Sequence, residues 1–407
     1  MSRALTLVLF DDELAAAWHP FTLTRPAGEL LFGARTLRAR AEAWTGTPCA
    51  GHIAAGLRGF DESGARPVLD PASLPADTDR LFLCARAAVA GPRFVPTTQP
   101  SLLVSGERIL GFFCPAQTPA PPPAVFERPS RMADAGWPRL EISARVLVHV
   151  WDLVIHNSAQ LIDDLANAPD AGLTELAPHV LNVEGGRARA RVGRDVRIEP
   201  GVIIDATNGG VWFDDRVHVR AFTRIAGPCY FGPGTTVLGG SLTAVSVGPA
   251  CKVRGELEES VIQGWSNKAH DGFIGHACIG RWVNLGANTT NSDLKNNYGS
   301  VRVWTPAGER DTGERKIGCF IGDHAKTAIG TLLNTGTVIG PCANLFGTSM
   351  PPKYVRPFSW GGGLSLHELE RFLDTARIVM GRRGETLSAG SEQILRALWM
   401  QIAGRVA

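Results

Sequence analysis

Residues 321–345 read IGDHAKTAIGTLLNTGTVIGPCANL, and a small or aliphatic residue stands at every sixth position of this stretch. This period is too long for the alternation of a single strand and does not match one face of an α-helix. It suits a coil with three short flat sides per turn. The rhythm therefore predicts a hexapeptide β-helix, and the residues that carry it are Ile321, Thr327, Leu333, Ile339 and Leu345.

Earlier copies of the same step extend the predicted coil over residues 181–360. Turn tetrads such as VGRD, FGPG and IGPC support the pattern, because Gly accepts a positive φ and Pro pre-sets a bend. One long polar excursion, NTTNSDLKNNYGSVRVWTPAGERDTGER, interrupts the rungs and is expected to be functional. The other positions in steps of six are Val192, Ile198 and Ile204; Val219, Ile225, Phe231 and Val237; Val247 and Val253; and Phe273, Ile279 and Leu285.

The residues on either side of the coil predict two further domains. In residues 1–180, LTLVLF and DRLFLCA have the composition of buried parallel strands and ELLFGARTLRARAEAW has helical apolar spacing, which indicates an α/β domain. The Pro-rich residues 115–129 predict a loop or linker. Residues 361–407 predict a C-terminal helical cap, whose first helix would have Ser365 at its N-cap and Glu368 reaching back.

Composition excludes several classes of function. With 407 residues, 44% hydrophobic and 20% charged, the chain should form two or three domains of a soluble protein. A net charge of +2 gives no broad basic field, so nucleic acid is not expected as a partner. No apolar run is long enough to span a bilayer, and MSRALTLVLFDDE turns acidic before a signal-peptide core is complete, so a cytoplasmic location without membrane insertion is expected. The eight cysteines have no CxxC spacing, and those in the coil should be small apolar fillers.

The candidate active site is SNKAHDGFIGHACIGRWVNLGANTTNSDLKNNYG, residues 266–299, because polar residues concentrate there on coils that otherwise need only small and aliphatic ones. His270 stands beside Lys268 and Asp271, and an imidazole can take a proton from an attacking amine near neutral pH. The alternative is that His270 has a structural role and only forms a hydrogen bond to a neighbouring coil. All six lysines lie in the coil half: Lys252, Lys268, Lys295, Lys316, Lys326 and Lys353. This distribution indicates either positions that need a compact ammonium or a difference of composition between the domains.

The segment NKAHDGFIGHACIGRWVNLGANTTN, residues 267–291, resembles the acetyltransferase half of the bifunctional UDP-N-acetylglucosamine pyrophosphorylase / glucosamine-1-phosphate N-acetyltransferase family. The opening LTLVLFDD, the stretch TLTRPAGELLFGARTLRARAE and the element WDLV resemble a divergent bacterial branch of that family. The resemblance implies a nucleotidyltransferase-like α/β domain followed by a left-handed parallel β-helix. It also implies a homotrimer, with acetyl-CoA as cosubstrate lying between neighbouring prisms, and a place in cell envelope biosynthesis.

The resemblance assigns roles in acetyl transfer. His270 is the expected general base, which deprotonates the amino group of a sugar phosphate or nucleotide sugar similar to glucosamine 1-phosphate. Asn284 is expected to position the reacting amine. Backbone N–H groups near Ala287 would hold the developing oxyanion, and Ala287 and Lys316 are the expected contacts of the acyl-CoA.

The resemblance also assigns contacts to the acceptor. Arg254, in KVRGEL, matches a position that contacts the phosphate of the sugar ligand, and Lys268 would add a second charge. The family's Asn-Tyr pair maps either to Asn291 or to Asn297 with Tyr298, because the loop over residues 288–299 is longer here.

Several residues depart from the family pattern. Phe273 stands where the family has a sugar-contacting Tyr, so the acceptor sugar and the length of the acyl chain stay open. After LTLVLF the Gly-rich phosphate loop is missing, and Arg86 lies near the position of the metal-binding Asp. The first domain is therefore expected to be degenerate, with Arg25 as its candidate phosphate ligand, with no metal site, and with Mg²⁺ required only if nucleotidyl transfer persists.

The favoured prediction is an acetyl-CoA-dependent N-acetyltransferase that acts on an amino sugar phosphate or a nucleotide amino sugar. One alternative is a sugar-1-phosphate nucleotidyltransferase that makes a UDP-sugar, and another is a non-catalytic nucleotide-sugar sensor. A third is a trimeric metal protein whose ligands would come from His218, His270 and His276 on facing coils.

Overall fold

A computed structural model of the chain describes residues 4–166, 181–182, 190–363 and 365–404. The chain forms two compact units. The first is made of the residues up to Leu30, Arg35–Val150 and Glu385–Leu398, and the second of Leu31–Ala34, Trp151–Gly384 and the residues from Trp399 onward. The predicted boundary near residue 180, with the stretch PDAGLTELAP before it, lies outside the described residues. The division into 1–180, 181–360 and 361–407 stays a prediction.

The first unit contains a six-stranded mixed sheet. Its second strand, Leu5–Phe10, runs parallel to both of its neighbours, Cys49–Ile53 and Asp79–Cys84, as the buried apolar runs predict. The remaining strands continue the sheet in the order Arg108–Cys114, Ser101–Ser105 and Arg139–Glu141, with both contacts of Arg108–Cys114 antiparallel. A separate antiparallel pair joins Ala87–Val89 to Ala144–Val146.

Within its described residues this unit contains α1 (Glu13–Ala16), α2 (Leu37–Thr45) and α3 (Pro123–Glu127), and its last segment, Glu385–Leu398, carries most of a later helix. The position of α3 shows that the loop predicted over residues 115–129 is wrong in part. Pro123 lies in the first turn, where a helix tolerates the missing N–H and the fixed φ of proline. The apolar Val125 and Phe126 are buried, and the ring of Phe126 packs 5.4 Å from that of Phe10, so burial stabilises this short helix.

The second unit is a solenoid whose strands stack in parallel on three sides, which we call faces A, B and C. Within the described residues face A has nine strands: Ala190–Val192, Val211–Phe213, Cys229–Phe231, Ser246–Val247, Val261–Gly264, Cys278–Arg281, Phe320–Ile321, Val338–Ile339 and Tyr354–Val355. This stacking confirms the predicted fold class, an α/β domain followed by a left-handed parallel β-helix and short C-terminal helices.

Faces B and C are made of equally short strands, and two long strands, Thr236–Thr243 and Lys252–Glu258, bend from one face onto the other. Face B also contains Arg197–Ile198, His218–Val219, Asn267–Lys268, Lys326–Thr327, Asn344–Leu345 and Ser359–Trp360. Face C also contains Leu181–Asn182, Ile203–Asp205, Thr223–Ala226, Phe273–Gly275, Thr290–Asn291 and Leu332–Leu333.

One continuous apolar column fills the prism, and it contains most of the residues that the six-residue rhythm marks, including Ile321, Leu333, Ile339 and Leu345. The five cysteines of the coil are buried free thiols, as expected of fillers, and the three cysteines of the first unit are buried free thiols as well. Phe273 is the exception, because Ile274 points inward there and pairs with Leu257 of the preceding coil. The turns between faces differ in length, so the rhythm loses phase at this coil.

The predicted excursion leaves the prism after the strand Thr290–Asn291 and forms an antiparallel hairpin of Arg302–Thr305 and Gly308–Asp311. The hairpin packs back on the coils, because the ring of Trp304 stacks 3.6 Å from that of Tyr354 on face A. Val301 and Val303 are fully buried beneath it. The excursion is therefore an ordered arm on the side of the prism.

Four further helices are α4 (Asp152–Ile155), α5 (Asn157–Ala166), α6 (Leu369–Gly381) and α7 (Ala389–Ala403). Ser365 does not cap α6, because its main chain pairs with Trp360 in a short antiparallel ladder and the helix begins four residues later. Phe372 of α6 packs its ring edge-on against those of His324 and Phe358, at the corner between faces A and B. The end-closing role of these helices stays a prediction. Across the described ranges, none of the helices combines the length and the apolar character that crossing a bilayer requires.

Candidate active site

His270 lies where the chain turns from face B to face C, and we call this column of turns corner BC. Residues 269–272 make the turn, and His270 and Asp271 are exposed at its tip. Gly272 has φ +123°, and a Cβ there would lie 2.4 Å from the carbonyl oxygen of Thr289 in the next coil. Only glycine fits this close approach, so the turn is held against its neighbour while the imidazole faces outward.

The side chain of Lys268 occupies an inward position of the same coil, in register with Val253 of the preceding one. It is only 2% exposed, and its Nζ donates to the carbonyl oxygen of Arg254 at 2.9 Å and to that of His270. Burial lowers the pKa of Lys268 to about 8, opposed by the charge of Asp271 and assisted by that of Arg254. The ammonium thus ties the main chain of the His270 turn to the coil before it.

Arg254 belongs to the same corner, one coil before His270. Its Nε donates to the Oδ1 of Asp271 at 3.0 Å and its Nη1 donates to the carbonyl oxygen of Leu238 at 3.0 Å. The side chains of Arg254 and Asp271 are 45% and 67% exposed, so this pair stabilises the fold little and can exchange partners readily. The structure therefore brings Arg254, Lys268 and His270 together at this corner.

Ala287 lies at corner BC one coil after His270. The N–H of the neighbouring Asn288 donates to the carbonyl oxygen of Asp271 at 2.9 Å, and the N–H of Gly330 donates to that of Ala287 at 2.8 Å. In the part of the chain that the structure describes, the main-chain N–H of Ala287 itself donates no hydrogen bond. This N–H is an available donor close to the His270 turn.

A cavity of about 80 Å³ begins on the coil beyond Ala287, with Gly330, Leu332 and Phe346 in its wall. Large apolar side chains are exposed along the same corner: Phe222 at 86%, Ile329 at 78% and Phe346 at 44%. Corner BC therefore presents a polar centre around His270 with apolar surface before and after it.

Asn284 is exposed on face B, in the coil after His270. Its main chain bridges to Asn267 on one side and to Lys326 on the other. The Nδ2 of Asn267 donates to the Oδ1 of Asn284 at 3.3 Å. The side chain of Asn284 thus lies next to the strand that leads into the His270 turn.

The two candidate positions for the Asn-Tyr pair differ in accessibility. Asn291 is 1% exposed, and its amide exchanges hydrogen bonds of 2.9 and 3.0 Å with the main chain of Gly275, in place of a strand pairing. Asn297 and Tyr298 are exposed on the arm, Tyr298 at 66%. Of these side chains, only those of Asn297 and Tyr298 are therefore accessible to a ligand.

Lys316 does not join corner BC. It is exposed beyond the other end of face C, where its Nζ lies 3.5 Å from the Oε1 of Glu258. Ala287 and Lys316, which the sequence assigns to one cofactor, are therefore placed at opposite edges of this face.

The sequence reasoning missed a carboxylate–imidazole pair at that second edge. The Nδ1 of His276 lies 2.8 Å from the Oδ2 of Asp293, and both side chains are 13% exposed. Burial opposes ionisation, but the hydrogen bond and charge of His276 and the charge of Lys316 keep the pKa of Asp293 below its usual range. The six-residue rhythm gives no signal for this pair, because it marks inward positions and not side-chain contacts between coils.

The histidines of the metal hypothesis are separated. His218 bonds the Oε1 of Glu199 at 2.8 Å, and His276 bonds Asp293. Within the described ranges of a single chain, no three His, Cys, Asp or Glu side chains gather to hold a metal ion.

In the first unit, the carboxyl ends of Leu5–Phe10 and Asp79–Cys84 border a cavity of about 410 Å³ whose wall includes Asp12, Arg86 and Arg108. Ligands of open α/β sheets bind at this edge. Arg86 donates from Nε and Nη2 to the two carboxylate oxygens of Asp12, at 2.8 and 2.5 Å, and from Nη1 to the carbonyl oxygen of Leu147 at 2.6 Å. A guanidinium–carboxylate pair therefore fills the place where the family pattern expects a metal-binding carboxylate, and these residues do not fit Mg²⁺.

Two other charged groups of this unit are also buried. The Nη1 of Arg25, the candidate phosphate ligand, lies 2.5 Å from the Oε2 of Glu62, and its side chain is 4% exposed. Burial raises the pKa of Asp11 to about 6, while the N–H of Ala27 bonds its Oδ2 at 3.0 Å. Arg25 is thus already matched by a carboxylate within the fold.

Comparison with known proteins supports the resemblance noted from the sequence. Residues 7–170 match the family described as sugar nucleotidyl transferase. The bifunctional sugar-1-phosphate nucleotidylyltransferase/acetyltransferase of Sulfurisphaera tokodaii is 34% identical over 91 residues, 22% of this chain and 23% of that protein. The bifunctional protein GlmU of Rippkaea orientalis is 29% identical over 118 residues, 28% of this chain and 24% of that protein. The alignments thus cover about a quarter of each bifunctional relative.

One further relative is named as an acetyltransferase. The uncharacterized acetyltransferase YaiX of an Escherichia coli strain is 27% identical over 164 residues, 37% of this chain and 68% of that protein. The solved structure of an Arabidopsis UDP-N-acetylglucosamine acyltransferase matches 47% of this chain and 67% of its own, at 10% identity and a TM-score of 0.19. The sequence matches alone confirm, at low identity, the predicted resemblance to bifunctional nucleotidyl- and acetyltransferases.

Proposed function

We propose that the second unit is an acetyl-CoA-dependent N-acetyltransferase whose acceptor is an amino sugar phosphate or nucleotide amino sugar. The observation that carries the proposal is the composition of corner BC. The exposed imidazole of His270, the available N–H of Ala287 and the half-exposed guanidinium of Arg254 lie on successive coils of one column. They are a base, an oxyanion donor and a phosphate ligand.

The proposed reaction needs no covalent enzyme intermediate. His270 takes a proton from the acceptor amine as its nitrogen attacks the carbonyl carbon of the thioester. The N–H of Ala287 donates to the carbonyl oxygen as negative charge develops on it. The carbon–sulfur bond then breaks, the amide is released, and the imidazolium returns the proton to the departing thiolate.

The apolar surface of corner BC supports a homotrimer in this proposal. Phe222, Ile329 and Phe346 are exposed in the same column as His270, and a second prism packed beside it would cover them and form a groove for the acyl-CoA. Light scattering on the purified protein would measure this assembly, and a monomeric mass would contradict it.

Arg254→Ala provides a test of the acceptor. We expect the KM for glucosamine 1-phosphate to rise about tenfold or more, because a charge-assisted bond to the phosphate is lost. The KM for acetyl-CoA should not change. Arg302→Ala, which removes an exposed arginine of the arm, is the matched control. An unchanged KM for the phosphorylated acceptor would exclude Arg254 as its phosphate ligand.

A second candidate function is sugar-1-phosphate nucleotidyl transfer in the first unit. The match of residues 7–170 to sugar nucleotidyl transferases and the cavity beside Arg86 favour it. The Arg86–Asp12 pair argues against it, because the carboxylate of Asp12 is already neutralised by a guanidinium and is not available to hold Mg²⁺.

We therefore expect no pyrophosphate release from UTP and N-acetylglucosamine 1-phosphate in the presence of Mg²⁺, under conditions in which the same sample transfers acetyl groups. A coupled pyrophosphate assay would measure this. Release that depends on Mg²⁺ and on the sugar phosphate would establish the second function and leave the acetyl-transfer proposal intact.

A further inference from the structure

Arg383 links the turn after α6 to the outer surface of face B. Its Nη2 donates to the Oδ1 of Asn267 at 2.7 Å, and its Nη1 donates to the carbonyl oxygen of Ala250 at 2.6 Å. The residue is half-buried. It therefore occupies a defined position beside the strand that leads to the His270 turn.

The contact with Arg383 fixes the orientation of two amides in succession. A guanidinium has only donors, so Asn267 must turn its oxygen toward Arg383 and its NH₂ group away. That NH₂ group donates to the Oδ1 of Asn284 at 3.3 Å. Asn284 must in turn present its oxygen to Asn267. In the described part of the chain the Nδ2 of Asn284 donates no hydrogen bond.

We propose that Arg383 is a positioning residue that acts through Asn267 and makes Asn284 present an NH₂ donor at the acetyl-transfer site. This inference rests on the proposed function. An NH₂ donor recognises an oxygen acceptor on a substrate, such as the thioester carbonyl or a sugar oxygen. Asn284 then orients the substrates by donating to such an oxygen and does not hold the reacting amine by accepting its N–H.

Asn267→Asp separates this relay from the stability of the fold. The new carboxylate still accepts from Arg383, but it has no NH₂ group, so Asn284 must reverse its amide to bond to it. We expect kcat to fall about tenfold, the scale of one misplaced hydrogen bond, with the KM for acetyl-CoA and the melting temperature unchanged. Arg383→Ala should lower kcat similarly, and Arg382→Ala, which removes the exposed neighbouring arginine, should not.

Coupling to Asn284 is the decisive measurement. In an Asn284→Ala background, Arg383→Ala should cause no further loss of kcat, whereas a purely structural role would give additive losses. Wild-type kcat in Asn267→Asp, or additive losses in the double variant, would overturn the proposal.

A readout that does not depend on turnover keeps the test separate from the proposed function. With asparagine selectively labelled with ¹⁵N, the side-chain amide resonance of Asn284 should shift in Arg383→Ala and in Asn267→Asp and stay in place in Arg382→Ala. If the wild-type protein transfers no acetyl group, the proposed function fails, and these shifts still decide whether the relay exists. An unmoved Asn284 resonance in both variants would exclude the relay.

Discussion

His270→Ala should reduce acetyl transfer to glucosamine 1-phosphate by about 10²–10⁴-fold, the range that general-base catalysis contributes. The imidazole is exposed at the tip of a turn, and the main-chain carbonyl of that turn is held by Lys268. The substitution removes the base without removing this anchor. We therefore expect the melting temperature and the oligomeric state to stay unchanged, so that a steady-state assay with purified protein measures the chemical role alone.

The carboxylate–imidazole pair of His276 and Asp293 gives this experiment its internal comparison. His276→Ala removes an imidazole that a carboxylate already orients, which is the usual arrangement of a general base. It lies at the opposite edge of face C, so we expect it to retain most of the activity. If His276→Ala were inactive and His270→Ala fully active, the base would be His276 and the proposed site at corner BC would be wrong.

Lys268→Met should lower kcat roughly 10–100-fold, because small displacements of a catalytic group cost that much. Methionine has a similar length and suits the apolar column, but it cannot bond the carbonyl oxygens of Arg254 and His270. The turn that carries the imidazole then loses its tie to the preceding coil. Lys252→Met, which removes an exposed lysine from the adjacent strand, is the control and should keep wild-type kcat.

The same substitution should change how stability depends on pH. The pKa of Lys268 falls from 10.5 to about 8 on folding because the ammonium is buried. Between these values the unfolded chain binds more protons than the folded one, so stability rises with pH in that window, by at most about 1.4 kcal/mol per pH unit from this group. Lys268→Met should remove this rise, as measured by urea unfolding between pH 7.5 and 10.5 relative to wild type. An identical pH profile would show that Lys268 is not a buried cation.

The fold was largely predictable because its information is local and repeated. Each rung needs an inward apolar residue and each turn a residue that accepts its bend, so Ile321, Leu333, Ile339 and Leu345 specify the stacking without knowledge of distant contacts. The rhythm failed at Phe273, because Ile274 takes the inward place and lies only five residues before the next inward residue, Ile279. A period can predict a coil but not the length of each corner.

The candidate site was predictable only where it follows the same repeat. Arg254, His270 and Ala287 occupy one corner of successive coils, and the structure places them together. Side-chain pairs between coils carry no such periodic signal, and the sequence therefore did not reveal the link from Arg383 to Asn267 or the pair of His276 and Asp293. The inward position of Lys268 was missed for a related reason. Its ammonium can be buried in an apolar column because it donates to the carbonyl oxygens of Arg254 and His270, and the sequence does not show these contacts.

The arm has a consequence for how this protein can diversify. On face A the strand Cys278–Arg281 pairs directly with Phe320–Ile321, although the arm lies between them in the sequence. The stacking of the coils therefore does not depend on the exact length of the arm. Insertions at the exposed turn between Thr305 and Gly308, at the tip of the arm, can therefore accumulate at little thermodynamic cost. The outer surface of the arm can thus change in the course of evolution while the stacked coils that form corner BC keep their arrangement.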